Sequence, residues 1–329
     1  MSQQLSVAIV IPAYNEERFI GKCLESCIDQ TSAPDEIIIV NNKSTDNTAS
    51  IVRRYQEDNS HIDIRLLDQN EYQGIAPTRN CGFDDAQSDI IGRIDADSIV
   101  ANDWVETIRR RFQDPAIDAA SGPAVFYDMP LRASLFWLDS TLKDRVHRTA
   151  KDERFLFGAN MAIRATAWKA VRHLTQLDLE DRLHEDVELA LTLFKNNFEV
   201  TYEPTMVAGI SARRVQCSLR DFYRYAMRYA RTTEVHGVPG FKSRAARTEV
   251  ITLMLLYLPG RTMRFFYDVE NLQFTLSKLR DELRKIGRGA VSGRRQSRDV
   301  RVCLEISRLP EFITDERRSG ELGFDFGGS

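Results

Sequence analysis

Residues 7–17 read Val7-Ala8-Ile9-Val10-Ile11-Pro12-Ala13-Tyr14-Asn15-Glu16-Glu17, and this stretch is the strongest indication of the fold. An unbroken apolar run followed by polar residues is typical of a strand that is buried on both faces, as in a parallel sheet. Apolar residues at helical spacing then run from Phe19 to Ile28, and Pro34 ends that pattern. The stretch therefore predicts a strand, a polar loop and a helix.

The same succession of strand and helix continues along the chain. A second apolar run covers residues 36–40, and the polar residues after it include cap-type side chains for a helix over residues 49–55. A third strand is predicted over residues 63–67 and a helix over residues 76–86, followed by a strand that starts near residue 89. This alternation predicts an α/β domain with a mainly parallel sheet.

The fourth predicted strand delivers two carboxylates, Asp95 and Asp97, at its end. Residues i and i+2 of a strand share a face. Mg²⁺ or Mn²⁺ held by one or two carboxylates commonly completes its shell with phosphate oxygens and water. An Asp-x-Asp tripeptide also occurs in ordinary acidic turns. In open α/β sheets, however, ligands gather beyond the carboxyl ends of the strands, so the polar clusters that follow each strand are expected to converge on one crevice.

Six motifs, in this order and spacing, resemble the inverting family 2 glycosyltransferases of the GT-A fold over about residues 5–215. They are Pro12-Ala13-Tyr14-Asn15-Glu16-Glu17, Val40-Asn41-Asn42-Lys43-Ser44-Thr45-Asp46-Asn47-Thr48, Gly74-Ile75-Ala76-Pro77-Thr78-Arg79-Asn80-Cys81-Gly82, Asp95-Ala96-Asp97, Phe157-Gly158-Ala159-Asn160-Met161-Ala162-Ile163-Arg164 and His184-Glu185-Asp186-Val187-Glu188-Leu189. The resemblance implies an α/β GT-A fold: a Rossmann-like, mainly parallel sheet flanked by helices, here with a C-terminal helical extension.

The resemblance implies a nucleotide site on the first two loops. Pro12, Tyr14 and Glu16 would lie on the loop that cradles the base and ribose of the donor. Asn41 and Asn42 stand where the family often has an acidic pair or Asp-Asn, so Asn41 departs from the pattern. An amide can still accept from a uracil N–H and donate to its carbonyl, but it lacks the charge of a carboxylate. A UDP-linked donor is therefore favoured by family frequency alone.

Arg79, Gly158 and Asn160 complete the implied donor site. Arg79 is expected on the first turns of a helix, where backbone N–H groups and a guanidinium both favour phosphate. The alternative for Arg79 is an ion pair with Asp84 or Asp85 on a solvated face. Gly158 and Asn160 would form a floor between donor and acceptor, and the alternative there is an ordinary turn.

The resemblance also implies the catalytic residues. Asp97 would coordinate the metal, Asp95 would bind the ribose or the metal, and Glu185-Asp186 matches the acidic pair whose Asp acts as the base. A sugar hydroxyl is a poor nucleophile, and a carboxylate that takes its proton accelerates transfer by roughly 10² to 10⁴. The alternative is that the pair stabilises a helix dipole by roughly 0.3–1 kcal/mol, and both can hold together. His184 adjoins the pair and is interpreted as a surface or packing residue.

The implied organisation has three parts. Residues 1–215 would form the catalytic domain, with a nucleotide-binding half over 1–98 and an acceptor half over 99–215. Residues 216–286 would form a helical extension, and residues 287–329 a partly disordered tail. Loops such as residues 127–154 are expected to select the sugar and the acceptor.

The composition is that of a globular enzyme. Hydrophobic residues make up 43% of the chain and the net charge is -3, which indicates no nucleic-acid partner. The five cysteines show no disulfide or metal-binding framework, so reduced thiols in a cytosolic protein are the simplest interpretation. Residues 1–4 lead straight into the first strand, and no signal peptide is expected. We therefore predict a cytoplasmic protein, with the inner face of the membrane as a candidate location.

The segment over residues 216–286 leaves two interpretations open. Residues 219–231 mix aromatics with arginines at helical spacing, and residues 250–258 form an apolar run flanked by arginines. That run is shorter than the roughly 20 residues that span a bilayer. It suits either a peripheral membrane contact, with arginines toward anionic headgroups, or a helix packed on the catalytic domain or on a second subunit in a homodimer.

Three functions from different classes remain. The favoured one is a glycosyltransferase of the hexosyl-transferring type, which uses Mn²⁺ or Mg²⁺ to move a sugar from a nucleoside diphosphate sugar to a hydroxyl of a saccharide or lipid-linked saccharide, in cell-envelope or exopolysaccharide synthesis by family analogy. A sugar nucleotidyltransferase should carry a Gly-x-Gly-Thr-Arg loop where residues 12–17 stand. The third is a non-catalytic sugar-nucleotide-binding protein on the same fold. Oxidoreductases and ATPases are disfavoured because their phosphate loops are missing.

Overall fold

The structure, a computed structural model, describes residues 4–149, 155–237, 243–268 and 273–274. Its strands are β1 Val7–Ala13, β2 Glu36–Asn41, β3 Ile64–Asp68, β4 Ile90–Arg93, β5 Ile99–Val100, β6 Ala119–Ser121, β7 Ala124–Phe126, β8 Met161–Arg164, β9 Val200–Tyr202, β10 Ala208–Ile210, β11 Tyr267–Asp268 and β12 Gln273–Phe274. The helices are α1 Ile20–Ile28, α2 Thr48–Asp58, α3 Ile75–Asp85, α4 Trp104–Arg111, α5 Arg132–Thr149, α6 Ala165–Val171, α7 Glu185–Lys195, a 3₁₀ helix Ala212–Gln216, α8 Leu219–Val235 and α9 Arg244–Phe266.

A seven-stranded sheet with the order β3-β2-β1-β4-β8-β6-β9 forms the centre of the molecule. The first four strands of that order are parallel, β8 is antiparallel to both β4 and β6, and β9 is parallel to β6. A second sheet has the order β5-β10-β7, and β11 pairs with β12. The predicted α/β class with a mainly parallel sheet flanked by helices is confirmed.

The buried strand β1 shows why helices cover both faces of the sheet. Val7, Ile9 and Ile11 belong to an apolar cluster with residues of α1, α2 and α4. Ala8 and Val10 point the other way and cluster with residues of α3, α6 and α7. Successive side chains of a strand face opposite sides, so an unbroken apolar run requires a core on each side.

Residues 127–154 differ from the prediction, because α5 occupies most of the segment that we expected to be loop. Leu135, Leu138 and Leu142 recur there at helical spacing and are half-buried. The segment therefore presents one side of a helix, and not a free loop, to its surroundings. Residues 150–154 lie outside the described residues.

At the C-terminal side, α8 and α9 form an antiparallel pair, which we call the α8–α9 hairpin. The rings of Phe222 and Tyr257 lie 4.6 Å apart at one end of it, and Tyr229 and Val250 belong to one cluster at the other. Each helix is preceded by a serine, Ser218 before α8 and Ser243 before α9. The Oγ of each serine accepts a backbone N–H from the first turn of its helix. No helix among the described residues has the length and apolar character needed to cross a bilayer. The predicted tail, residues 287–329, lies outside the described residues.

The cysteines in the described part of the chain are free thiols. Cys23 and Cys27 are buried on α1, whereas Cys81 and Cys217 are half-buried and lie far from that helix in sequence. Cys303 is outside the described residues.

Candidate active site

The loops after β1 and β2 are joined by a network of hydrogen bonds. The Asn15 N–H donates to Ser44 Oγ at 3.0 Å, and the Thr45 N–H donates back to Asn15 Oδ1 at 2.8 Å. The Glu16 N–H donates to Thr48 Oγ1 at 2.8 Å. Asn15 has a φ of 55°, in the left-handed region that asparagine tolerates better than most residues. The two motifs therefore form one rigid rim beyond the carboxyl ends of their strands.

The predicted nucleotide residues lie at this rim in different environments. Pro12 is buried within β1, and the Tyr14 side chain is half-exposed just beyond the strand. Asn42 is buried, and its amide binds the carbonyls of Gln69 and Tyr72 and accepts the Gly74 N–H. Asn42 thus holds the loop before α3, whereas Tyr14 has an open surface for a ligand.

Asn41 is paired with a carboxylate that we did not single out from the sequence. Its Nδ2 donates to Asp68 Oδ1 at 2.8 Å, and its Oδ1 accepts the Ser44 N–H at 3.2 Å. The two residues are register partners at the ends of β2 and β3, and Asp68 is exposed. A negative charge therefore stands beside the position where the family often has one. The strand ends could have indicated this, because parallel neighbours end at the same edge of a sheet.

Arg79 is a correction to the predicted donor site. Its side chain is fully buried, Nη1 donates to the Glu185 carbonyl at 2.6 Å, and the guanidinium lies 5.5 Å from the Trp168 ring. The alternative ion pair is also absent, since Asp84 and Asp85 pair with other arginines. Arg79 faces inward because α3 turns that side toward α6 and the start of α7. Arg79 therefore supports the start of α7 from within the core and has no exposed surface for a phosphate.

Asn160 is the second correction. Its Oδ1 accepts from Trp104 Nε1 at 2.8 Å, and its Nδ2 donates to the carbonyls of Pro123 and Met206 at 2.8 and 2.7 Å. The side chain is fully buried with both N–H groups used. Asn160 therefore joins the two sheets beneath the crevice instead of lining it.

Arg93 connects the two acidic motifs, and sequence reasoning missed it. This buried side chain donates from Nη2 to Asp95 Oδ1 at 2.8 Å, and Nη1 lies 3.1 Å from Glu185 Oε1. Arg93 is the last residue of β4 and stands two residues before Asp95, and a basic residue this near the acidic motif is the signal that could have revealed it. Because one guanidinium reaches both motifs, the Asp-x-Asp segment and the start of α7 share one crevice.

Asp186 is held in place by the backbone of the segment before β8. The Gly158 N–H donates to its Oδ2 at 2.7 Å, and the Val187 N–H donates to its Oδ1 at 2.8 Å. A methyl group at Gly158 would collide with the Arg93 guanidinium and lie 3.1 Å from Asp186 Oδ2. Burial raises the pKa of Asp186, while the charge of Arg93 and the two N–H donors oppose that rise.

Asp97 and Glu16 share a second arginine, Arg213 of the 3₁₀ helix. Its Nε lies 2.9 Å from Asp97 Oδ2, and its Nη1 donates to Glu16 Oε2 at 2.8 Å. Burial and the nearby Asp95 carboxylate raise the pKa of Asp97 to about 7, although Arg213 acts in the opposite direction. The crevice therefore carries more negative charge than its arginines balance.

The donor set suits a divalent cation only when a ligand helps to hold it. Among the described residues, no group of three or more His, Cys, Asp or Glu side chains is arranged to bind a metal ion. Mg²⁺ and Mn²⁺ need only one or two protein carboxylates when substrate phosphates complete the shell. The exposed carboxylate of Asp95 and the neighbouring Asp97, whose pKa is raised by burial and by the Asp95 charge, fit that requirement.

His184 has a packing role. It precedes α7, its ring lies 4.0 Å from the ring of Tyr229, and its Nε2 is 3.2 Å from the Tyr225 carbonyl oxygen. Burial lowers its pKa to about 3, so the ring is neutral at pH 7. His184 therefore links the start of α7 to α8.

A groove of about 700 Å³ lies at the sheet edge and includes Asp68, the partner of Asn41. It is lined by β3 and α3, with Asp68, Tyr72 and Arg172 among its residues, and neither the Asp95–Asp97 segment nor the Glu185–Asp186 pair lines it. Carboxylates and arginines converge instead in the crevice between β4, α7 and the 3₁₀ helix.

Comparison with known sequences places the chain in a family. Residues 8–172, half of the chain, match the model of Glycosyl transferase family 2, and the chain belongs to that family. Glycosyltransferase GlyG of Streptococcus pneumoniae serotype 4 is 30% identical over 122 residues, which cover 37% of this chain and 40% of GlyG. The uncharacterized glycosyltransferase YibD of Escherichia coli K12 is 34% identical over 120 residues, covering 36% of this chain and 34% of YibD. The matched segments span no more than 40% of these relatives.

A solved structure has the same fold. The mannosyltransferase PcManGT from Pyrobaculum calidifontis, in complex with GDP-Man and Mn²⁺, aligns with a TM-score of 0.60 at 17% identity, over 98% of this chain and 88% of that one. This likeness confirms the GT-A fold. The likeness shows the fold, and membership of Glycosyl transferase family 2 rests on the family match.

Proposed function

We propose that the protein is a metal-dependent, inverting glycosyltransferase that moves a sugar from a nucleoside diphosphate sugar, UDP-linked by family frequency, to an acceptor hydroxyl. The observation that carries the proposal is the double contact of Arg93 with Asp95 and Glu185, which brings the two acidic motifs into one crevice. A donor diphosphate near Asp95 would then lie beside Asp186, as a direct displacement requires.

Asp186 is the residue that we assign as the base. Its two backbone N–H donors fix the direction of the carboxylate, and burial raises its pKa, which makes the carboxylate a stronger base. It takes the proton of the acceptor hydroxyl as that oxygen bonds to the anomeric carbon and the diphosphate leaves with the bonding electrons. One displacement inverts the anomeric centre.

Asp95 and Asp97 are the residues that would hold the cation, with Glu16 and Arg213 around them. A bound Mn²⁺ or Mg²⁺ supplies positive charge to the departing diphosphate. Arg213 already bridges Asp97 and Glu16 across this side of the crevice, so its guanidinium is placed to approach the same phosphates. On the other side, Tyr14 and the Asn41–Asp68 pair are proposed to receive the nucleoside.

The division of the chain is proposed on the same grounds. Catalytic side chains come from residues 1–215, with the nucleotide half over 1–98 and the acceptor half over 99–215. Residues 216–286 are proposed as an extension that supports this domain. The family match removes the sugar nucleotidyltransferase alternative, and a non-catalytic binding protein is the remaining competitor.

The first prediction tests the base. In Asp186→Asn, transfer should fall by roughly 10² to 10⁴ because the amide cannot accept the proton, whereas donor binding should persist. A thermal-shift screen of nucleoside diphosphate sugars with Mn²⁺ or Mg²⁺ first identifies the donor, since a ligand of the native state raises the melting temperature. Turnover is then measured with that donor.

Asp58→Asn is the matched control, because it makes the same chemical change on the exposed end of α2. Its transfer rate should equal that of the wild type. Turnover of Asp186→Asn within a few-fold of the wild type would remove Asp186 as the base. Donor binding without any transfer by the wild type, over a panel of acceptors, would favour the non-catalytic alternative.

A further inference from the structure

The α8–α9 hairpin has an apolar face that no described residue covers. Ile251, Leu255 and Leu258 follow one another at helical spacing on α9 and are 49%, 71% and 65% exposed. On a neighbouring side of the same helix, Val250 and Tyr257 are buried against α8. Helix α9 is therefore apolar on two sides, and only one of them faces the protein.

On α8, exposed Leu219 and Tyr223 add to the apolar surface of the hairpin. Leu219 and Tyr223 lie at the end of α8 that packs beside Tyr257. Scattered surface leucines are ordinary, but three exposed apolar residues at helical spacing on one helix, with two more on its partner helix, are typical of an interaction site.

The charge of the hairpin is opposite to that of the catalytic part. Residues 219–266 carry nine Lys or Arg against three Asp or Glu, whereas residues 1–218 carry 24 against 34. Arg220 and Arg224 on α8 and Arg247 on α9 are exposed. The partner of this surface should therefore be apolar and negatively charged at once.

We propose that the α8–α9 hairpin binds the surface of an anionic lipid bilayer. Ile251, Leu255 and Leu258 enter the boundary between headgroups and acyl chains, and the exposed arginines lie among the lipid phosphates. This is the arrangement of an interfacial helix, whose affinity combines buried apolar area with attraction to anionic lipid.

Charge complementarity favours the bilayer over the other candidate occupants. In a two-fold dimer the same surface of each copy faces the other. The excess positive charge of one hairpin would therefore face the same excess positive charge of the other and repel it. Residues 275–329, which follow the described part, carry twelve Lys or Arg against nine Asp or Glu and supply no negative surplus. An anionic membrane is the occupant that matches both properties of the surface.

The hairpin also contacts the elements that carry the site. The Tyr257 hydroxyl donates to the Cys217 carbonyl at 2.9 Å, just after the 3₁₀ helix that bears Arg213, and Val187 of α7 clusters with residues of both hairpin helices. Membrane binding would thus hold the crevice near lipid-linked acceptors. That consequence rests on the proposed function, whereas the membrane contact itself does not.

The test is co-sedimentation of the full chain with vesicles of phosphatidylcholine alone and of phosphatidylcholine mixed with phosphatidylglycerol. The wild type should bind the anionic vesicles, and added salt should weaken that binding because it screens the arginines. The double variant Leu255→Glu with Leu258→Glu should bind at least about tenfold more weakly, since two apolar contacts are lost and two like charges face the lipid. Leu174→Glu, at a 44% exposed leucine after α6, should bind as the wild type does.

A second variant keeps the test decisive if the double variant folds poorly. Arg220→Gln with Arg224→Gln leaves every apolar contact in place and should weaken binding to the anionic vesicles alone. Equal binding to both vesicle types, no binding by the wild type, or unchanged binding by a folded leucine variant would overturn the proposal. Light scattering that shows a dimer dissociated by the leucine changes would assign the surface to a second copy instead. Donor thermal shifts, which do not involve this face, separate these outcomes from failure of the proposed function.

Discussion

Arg93 and Gly158 show how two neighbouring residues arrange the whole set of acidic side chains. The Arg93 guanidinium occupies the space that a side chain at position 158 would need, and in that place it reaches both Asp95 and Glu185. Glycine is therefore required here by close approach, and not by backbone conformation. The buried arginine keeps its charge compensated through those carboxylates, whose fields raise its pKa.

At this scale we predict the effect of Gly158→Ala. The new methyl group must displace Arg93, so the variant should lose roughly 1–3 kcal/mol of unfolding free energy, as overpacked sites do. The transfer rate of the variant should also fall, because Asp95 and Asp186 would no longer be held at a fixed position relative to each other. Urea unfolding and turnover with the identified donor measure the two effects.

A double-mutant cycle gives the control for Gly158→Ala. In an Arg93→Ala background the obstacle is gone, so adding Gly158→Ala should cost little further stability. Equal losses in both backgrounds would mean that the methyl group collides with something other than Arg93.

At the scale of elements, α3 illustrates close packing of a helix on the sheet. A methyl group at Gly82 would overlap Val10 Cγ1 and lie 2.9 Å from Val40 Cγ2, so α3 lies directly against β1 and β2. The contact holds the start of α3 in place, where Gly74 joins the loop fixed by Asn42.

We predict opposite effects for two glycine-to-alanine changes in helices. Gly82→Ala should destabilise the protein by roughly 1–3 kcal/mol because the sheet cannot yield. Gly21→Ala on α1 should be neutral or stabilising by up to about 1 kcal/mol, since its methyl group meets only the end of the Tyr55 side chain at 3.4 Å. Chemical denaturation of both variants measures the difference. Equal stability of the two would show that α3 can shift away from the sheet.

Some helices and strands could be predicted from the sequence, and others could not. Strands β1 and β2 and the helices after them were predictable, because buried parallel strands produce unbroken apolar runs between polar loops. Helix α5 was missed although its leucines recur at helical spacing, since the strands before and after it, β7 and β8, are too short to produce a clear apolar run. The exposed leucines of α9 could be assigned to protein or membrane only after α8 was seen to cover the other face.

For the molecule as a whole, Arg213 connects distant parts of the chain. It lies 116 residues after Asp97 and 197 after Glu16, yet it contacts both carboxylates. The 3₁₀ helix that carries it is held by Asp128 and by Tyr257 of the α8–α9 hairpin. The C-terminal helices therefore help to complete the crevice formed by the first two loops.

We predict a pH-dependent loss of stability in Arg213→Gln. Burial and the Asp95 charge raise the folded-state pKa of Asp97 to about 7, above an unfolded value of about 3.9. Asp97 is therefore protonated in the native state below pH 7, where its pair with Arg213 contributes less to stability. Above pH 7 the buried carboxylate is charged, and loss of Arg213 should cost about 1 kcal/mol, a figure reduced for its 42% exposed side chain.

Urea unfolding at pH 6 and pH 8.5, with a chelator present, measures this difference. Arg182→Gln removes an exposed pair with Glu180 and should have little effect at either pH. An equal loss for Arg213→Gln at both values would contradict the assigned role of Asp97.

The sequence by itself determined the strand and helix alternation, the crevice at the strand ends and the acidic motifs that lie there. Those features follow from local patterns, because apolar periodicity and polar loops are properties of consecutive residues. The tertiary structure alone decided that Arg79 and Asn160 are buried supports, that Asp68 stands beside Asn41, and that Arg93 and Arg213 hold the carboxylates. These roles depend on which side of each element meets another element distant in the chain, and no local pattern contains that information.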